Sequence, residues 1–198
     1  LCLGQLKEIT GCLVILTNRL AEQIESCPHC GRACRSLFRK SCTDQLLAGL
    51  DRADAAMIAT IYNHYVSSST ITFEEHVVGI DEMAQRITSV GAQLPWYVFE
   101  RDGEIVGYAY ATPWRARSAY RFSVESTVYV AHDGVGQGIG RQLYSTLIEE
   151  LRHRQLQVVI GGIAQPNEAS VALHERLGFE KVAMFKRVGC KFDQWIDV

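Results

Sequence analysis

Val124-Glu125-Ser126-Thr127-Val128-Tyr129-Val130 runs directly into Ala131-His132-Asp133-Gly134-Val135-Gly136-Gln137-Gly138-Ile139-Gly140-Arg141. The first seven residues alternate β-branched or aromatic side chains with polar ones, the pattern of a strand. The next eleven form a glycine-rich loop. Gln142 to Leu151 follows with apolar residues at 143, 144, 147, 148 and 151, which is helical spacing. Strand, glycine loop and helix in this order aim backbone N–H groups and a helix N-terminus at an anion. The spacing tells against two familiar cradles. A Walker loop needs Lys and Ser/Thr after its last glycine, where this chain has Ile139-Gly140-Arg141. A dinucleotide loop needs G-x-G-x-x-G, where this chain has glycines at 134, 136, 138 and 140. The strand carries one carboxylate, Glu125, so a candidate base lies beside a candidate phosphate cradle.

Outward from this centre, 198 residues suit one domain with an appendage. A net charge of −2 gives no electrostatic argument for nucleic acid or an anionic membrane. Apolar runs fall well short of the roughly 20 residues of a membrane span. Six of the seven cysteines lie within the first 42 residues, at Cys2, Cys12, Cys27, Cys30, Cys34 and Cys42. A secreted disulfide scaffold would spread them over the fold, so the expectation is a reducing, cytoplasmic compartment. Cys27-Pro28-His29-Cys30 with Cys34 and Cys42 is a weak zinc-knuckle signal, because the second pair is too widely spaced. The expected division is residues 1–45 as a cysteine-rich, poorly ordered extension and 46–198 as the main domain. Within the extension, Leu13 to Ile24 fits an amphipathic helix.

From Leu46 the pattern is regular. Leu46 to Leu50 is a short strand candidate, and Asp51 or Asp54 caps a helix through Tyr65. A second helix spans Ile80 to Val90. Trp96–Glu100 and Glu104–Ala111 flank Asp102-Gly103, a strong hairpin signal. Pro113 to Arg117 opens a basic, aromatic loop. Gln157 to Ile163 reads as a buried strand. A helix from Val171 to Leu177 is closed by Gly178, and Phe179–Arg187 and Cys190–Val198 read as a last pair of strands. The fold class is α+β, a mostly antiparallel sheet with one strand–helix–strand crossover.

Several motifs together resemble the GNAT N-acyltransferase superfamily, and within it the phosphinothricin and methionine sulfone/sulfoximine acetyltransferases. They are Ile61-Tyr62-Asn63-His64-Tyr65, Ser69-Thr70-Ile71-Thr72-Phe73, Pro113-Trp114-Arg115-Ala116-Arg117, Val124 to Val130, Gly138-Ile139-Gly140, Pro166-Asn167-Glu168-Ala169-Ser170 and Trp195-Ile196-Asp197-Val198. The resemblance implies a mixed sheet flanked by helices and splayed near an acetyl-CoA site. It also implies acetyl-CoA as cosubstrate, a small amino acid as acceptor and a homodimer. Val135 and Gly136 depart from the family's loop, which carries Gln or Arg and a further Arg there. The cysteine-rich start has no counterpart in it. The chain begins at Leu1 and stops at Val198, where the family's last strand continues, which suggests a fragment or a processed product.

By this resemblance Glu125 is the base that takes the ammonium proton, against a plain reading as a sheet-edge ion pair. His174 is a second candidate, as base, substrate orienter or acid to the thiolate, or else a structural hydrogen-bonder. The acetyl-CoA residues are Val128, Tyr129, Val130, Val135, Gly136, Gln137, Gly138, Ile139, Gly140, Arg141 and Asn167. Asn167 reads equally well as a helix cap. A backbone N–H near Tyr129 is the expected oxyanion donor. Phe73, Arg115, Arg117, Tyr120 and Thr127 are the expected substrate residues, because guanidinium forks hold carboxylate and phosphinate groups. No metal is expected in the site. Two other readings stay open: acetylation of protein N-termini or another amine, and a non-catalytic acyl-CoA binder with a zinc-knuckle extension.

Overall fold

A computed structural model describes residues 12–17, 44–47, 50 and 52–198. The elements run β1 (Cys12–Thr17), β2 (Asp44–Leu47), α1 (Arg52–Ser68), α2 (Ile80–Gly91), β3 (Trp96–Arg101), β4 (Glu104–Pro113) and β5 (Ser123–Val130). They continue with α3 (Ile139–His153), β6 (Val158–Ile163), α4 (Glu168–Arg176), β7 (Glu180–Ala183), β8 (Gly189–Lys191) and β9 (Gln194–Ile196). Among the described residues, seven strands form one sheet in the order β2-β3-β4-β5-β6-β1-β7, and β8 and β9 form a separate hairpin. Every pairing is antiparallel except that of β5 with β6. That parallel pair needs the right-handed crossover that α3 supplies.

Alternation along the strands divides the core in two. Val98 and Tyr108 pack under α1 and α2 with Ala55, Ile58, Tyr62, Val66, Met83 and Ile87. Their neighbours Phe99 and Ala109 face α3, whose Leu143, Tyr144, Leu147, Ile148 and Leu151 form the buried stripe that the sequence spacing anticipates. The β3–β4 connection is the expected tight hairpin, with Asp102 at φ 53° and Gly103 at φ 83°. Gly178, at φ 85°, ends α4. Phe179 N–H donates to the His174 carbonyl (3.1 Å) and Gly178 N–H to that of Glu175 (3.0 Å), the paired bonds of a Schellman stop.

The structure corrects the sequence reading in two places and extends it in a third. Cys12–Thr17 is a strand, not the start of a helix. It runs between β6 and β7 and pairs with both, with Val14 and Leu16 buried at period two. An apolar run of this length suits either state, and a slot with ladder partners on both sides favours the strand. The expected division at residue 46 therefore does not separate the sheet, since β1 belongs to it. Near the other end, the segment from Cys190 is a short hairpin rather than one strand, turning at Phe192 and Asp193 with φ 52° and 58°. The strand expected from Leu46 lies at Asp44–Leu47. The zinc-knuckle cysteines Cys27, Cys30, Cys34 and Cys42 and the later part of the expected first helix lie outside the described residues.

Candidate active site

Pairing between β5 and β6 stops early. Ser123, Val124 and Glu125 face Val158, Val159 and Ile160, and there the ladder ends. Beyond it, Ser126 to Val130 pair only with β4, and Gly161 to Ile163 only with β1. The two strands part into a wedge, the splay that the family resemblance implies. A cavity of about 270 Å³ opens in this wedge, and its walls include Phe73, Glu125, Thr127, Tyr129, Asn167 and His174.

Glu125 is the first residue past which the sheet is open. Its Oε1 lies over Gly162 of β6, where an added Cβ would come within 3.5 Å. Burial raises its carboxyl above the usual carboxylate range, and the nearby Arg115 guanidinium partly opposes this. A carboxylate whose proton affinity rises toward neutrality is suited to exchanging a proton with an amine.

His174 approaches the same cavity from the other face of β6, against Gly161, where an added Cβ would meet its Nε2 at 2.8 Å. It is 3% exposed. Its Nδ1–H donates to the Ser170 carbonyl at 2.7 Å, which leaves Nε2 as the acceptor for the Tyr144 hydroxyl at 3.1 Å. Tyr144 in turn lies 2.9 Å from Ser126 Oγ. With His174 neutral, protons point along Ser126, Tyr144, His174 and the Ser170 carbonyl. Burial lowers the His174 pKa, the Ser170 bond opposing, so the neutral form holds at pH 7. Because the folded state binds this proton less readily than the unfolded chain, acidification below the ordinary imidazole value of about 6.5 destabilises the fold. His174→Gln removes that component. Thermal unfolding of the two proteins between pH 7.5 and 5 should show the wild type losing the greater share of its melting temperature.

The helix that follows the glycine loop begins without a side-chain cap and without an acidic residue in its first turn. Its N-cap is Gly138 at φ 82°, and Gly136 shares that left-handed conformation. The bond that opens α3 runs from Gln142 N–H to the Gly138 carbonyl at 3.1 Å. The N–H groups of Ile139, Gly140 and Arg141 thus open the helix with no acceptor inside it. Gln137 braces the loop: its Nε2 donates to the Asp133 carbonyl at 2.7 Å and its Oε1 accepts from Arg101 at 2.5 Å. An uncapped, unopposed helix start of this kind fits a pyrophosphate. Val135 is an exposed loop residue, and Val130 packs against Gly134 and Gly140 beneath the loop. Asn167 does cap α4, its Oδ1 accepting from Ser170 N–H at 3.1 Å, and it also lines the wedge with Val128 and Tyr129.

Of the expected substrate residues, Phe73 and Thr127 line the wedge beside Glu125. Arg115, Arg117 and Tyr120 instead line a second cavity, of about 520 Å³, with Arg121, Arg154 and Val124. Val124 and Glu125 point to opposite faces of β5, which separates the two spaces. Arg115 stacks on Trp114 with its guanidinium 4.5 Å from the ring centre, and its charge still reaches Glu125. Ser126 and Tyr144 carry no role in the sequence reading. Tyr144 falls on the apolar stripe of α3, and its spacing says only that it is buried. The usable signal was its hydroxyl, which needs a partner wherever the ring is buried.

Residues 47–198 match the family described as the acetyltransferase (GNAT) domain. The chain is 42% identical over 163 residues to phosphinothricin N-acetyltransferase of Alcaligenes faecalis, covering 81% of each chain. It is 36% identical over 159 residues to the L-methionine sulfoximine/L-methionine sulfone acetyltransferase of Salmonella typhimurium, covering 75% of this chain and 87% of that one. Its fold matches the crystal structure of a phosphinothricin acetyltransferase from Sinorhizobium meliloti in complex with acetyl-CoA. That match has a TM-score of 0.74 at 35% identity, over 78% of this chain and 84% of that one. The chain therefore belongs to the GNAT acetyltransferase family, whose cosubstrate is acetyl-CoA.

Proposed function

We propose that this enzyme acetylates the α-amine of a small amino acid with a polar or anionic head group, of the phosphinothricin and methionine sulfone kind. The observation that carries this is Glu125, a partly buried carboxylate held at the point where β5 and β6 part. The relatives named for those two substrates support the substrate class. When bound, acetyl-CoA supplies the acetyl group as a thioester, its pyrophosphate held by the N–H groups at the start of α3.

The chain's own residues then do the following. Glu125 accepts a proton from the substrate ammonium, which frees the nitrogen lone pair for attack. As the amide forms and the thioester breaks, the leaving sulfur needs a proton. The proton that Glu125 took from the ammonium is the one available to it, so that amine and thioester become amide and thiol with no proton gained or lost, while the Ser126–Tyr144–His174 chain lines the same cavity. Phe73 and Thr127 bound the amino acid. Arg115 and Arg117 both lie in the neighbouring cavity, from which the charge of Arg115 reaches Glu125 and acts on the negative end of the substrate. A cytoplasmic homodimer is part of the same proposal, supported by the clustered thiols near the start of the chain and by exposed Phe192 and Trp195. Among the described residues no helix is long and apolar enough to cross a membrane.

A panel of amino acids and analogues with acetyl-CoA, followed by thiol release, tests the proposal. Phosphinothricin or methionine sulfone should turn over at least tenfold more efficiently than spermidine or an alanine-terminated peptide. Preference for the peptide or the polyamine would overturn the substrate class. In the same assay Arg115→Ala should raise KM for the anionic substrate about tenfold or more, the scale of a lost charged hydrogen bond. Its acetyl-CoA affinity should stay near wild type.

A further inference from the structure

Lys191, on β8, is 1% exposed. Its Nζ donates to the Thr72 carbonyl at 2.8 Å and lies 5.0 Å from the centre of the Phe192 ring. Burial lowers its pKa, while the charges of Glu75 and Glu74 oppose that shift. An ammonium withdrawn from water to meet one backbone carbonyl is costly unless the position of that carbonyl matters to the fold or the site. Two residues away, Gly189 lies flat against Phe73. A Cβ at Gly189 would come within 2.4 to 2.8 Å of three atoms of that ring. One short strand therefore seats both Thr72 and Phe73.

Those two residues, with Ile71, form a wall of the wedge that holds Glu125. The wall is not in a helix or a strand, so no ladder fixes it. Its inner anchor is the Thr72 hydroxyl, 2.8 Å from the Tyr62 hydroxyl on α1. Tyr62 meets Tyr129 of β5 edge to face at 5.3 Å. Its outer anchor is Lys191. The hairpin itself stands apart from the main sheet and is tied to it by bonds around Val198, Asp197 and Phe185. Its turn holds Phe192 at φ 52°, which a bulky side chain adopts only under constraint.

We propose that the β8–β9 hairpin is a specificity element. Lys191 and Gly189 position the Ile71–Phe73 wall, and that wall sets the length of amino-acid side chain the enzyme accepts. The proposal rests on the reading that the wedge takes the amino acid. Lys191 acts through Thr72 and is a positioning residue, so loss of overall rate is not its signature. The signature is a change in discrimination between substrates that differ only in length.

The test compares methionine sulfone with its homologue one methylene shorter, S-methylcysteine sulfone, in wild type, Lys191→Met and Gly189→Ala. Lys191→Met keeps the volume and leaves the Thr72 carbonyl without its donor. Gly189→Ala displaces the Phe73 ring, and because the ring's far edge takes the contact, the variant keeps its fold. The ratio of kcat/KM for the two substrates should change by about tenfold in each variant, within the range one methylene is worth in a shaped pocket. Acetyl-CoA affinity, measured by calorimetry, should stay within twofold. A variant that is only destabilised would lower both substrates alike. If Lys191→Met does not fold, Gly189→Ala decides alone. A ratio within threefold of wild type in folded Gly189→Ala overturns the proposal while leaving the substrate reading intact. A wild type that acetylates neither compound overturns the substrate reading, and this inference with it.

Discussion

Glu125→Gln is expected to lower kcat/KM at neutral pH by about 10²–10⁴-fold, the usual size of a general-base contribution. The substitution keeps the shape of the side chain over Gly162 and removes its basicity. Acetyl-CoA binding should barely change, since the carboxylate sits in the wedge and the pyrophosphate cradle sits at the start of α3. The pH dependence carries a sign. Only the ionised carboxylate can act as base, and burial raises its pKa, Arg115 partly opposing. As pH falls through that raised value, Glu125 takes a proton and the rate falls. The acidic limb of kcat/KM should therefore lie above the ordinary carboxylate range in the wild type and vanish in Glu125→Gln. The residual rate should climb with pH as more substrate arrives as free amine. His174→Asn, measured alongside, separates the two candidates. A Glu125→Gln enzyme with near-wild-type kcat/KM and its acidic limb intact would assign the base to the Tyr144–His174 chain instead.

Gly138→Val is expected to weaken acetyl-CoA binding by at least tenfold. Nothing lies within 4 Å of a Cβ added at Gly138, so the effect is not a clash within the protein. It comes from the backbone, which at φ 82° costs a residue with a side chain about 1–2 kcal/mol and a β-branched one more. The chain relieves that strain by turning the peptide, and the N–H groups at the start of α3 then no longer converge on one anion. In the proposed cradle the pyrophosphate approaches through the open space around Gly138, where a valine side chain would compete with it directly. Isothermal calorimetry with acetyl-CoA reads both effects. Unchanged affinity in a folded Gly138→Val protein would remove the cradle from the start of α3.

The local elements were legible in the sequence because each rests on a short-range rule. Asp102-Gly103 specifies a tight hairpin through positive φ. The spacing of Leu143, Leu147 and Leu151 specifies a buried helix face, and Gly178 a helix stop. The glycines before Ile139 specify an uncapped, anion-ready helix start. Glu125 stood out because a lone carboxylate in a strand beside such a loop calls for a reason. Tertiary structure alone decided what depends on residues distant in the chain. That β5 and β6 part after Glu125 and Ile160 is a matter of register, which neither strand's pattern encodes. Cys12–Thr17 reads ambiguously in isolation and becomes a strand because β6 and β7 offer it bonds on both sides. The hydrogen bonds of His174 come from Ser170 on its own helix and from Tyr144 thirty residues earlier. Lys191 drew no reading from the sequence, because the carbonyl that its buried ammonium bonds belongs to Thr72, 119 residues away. Spacing reports which face of an element is apolar, but the pairing of polar groups across the fold is set only when the elements meet.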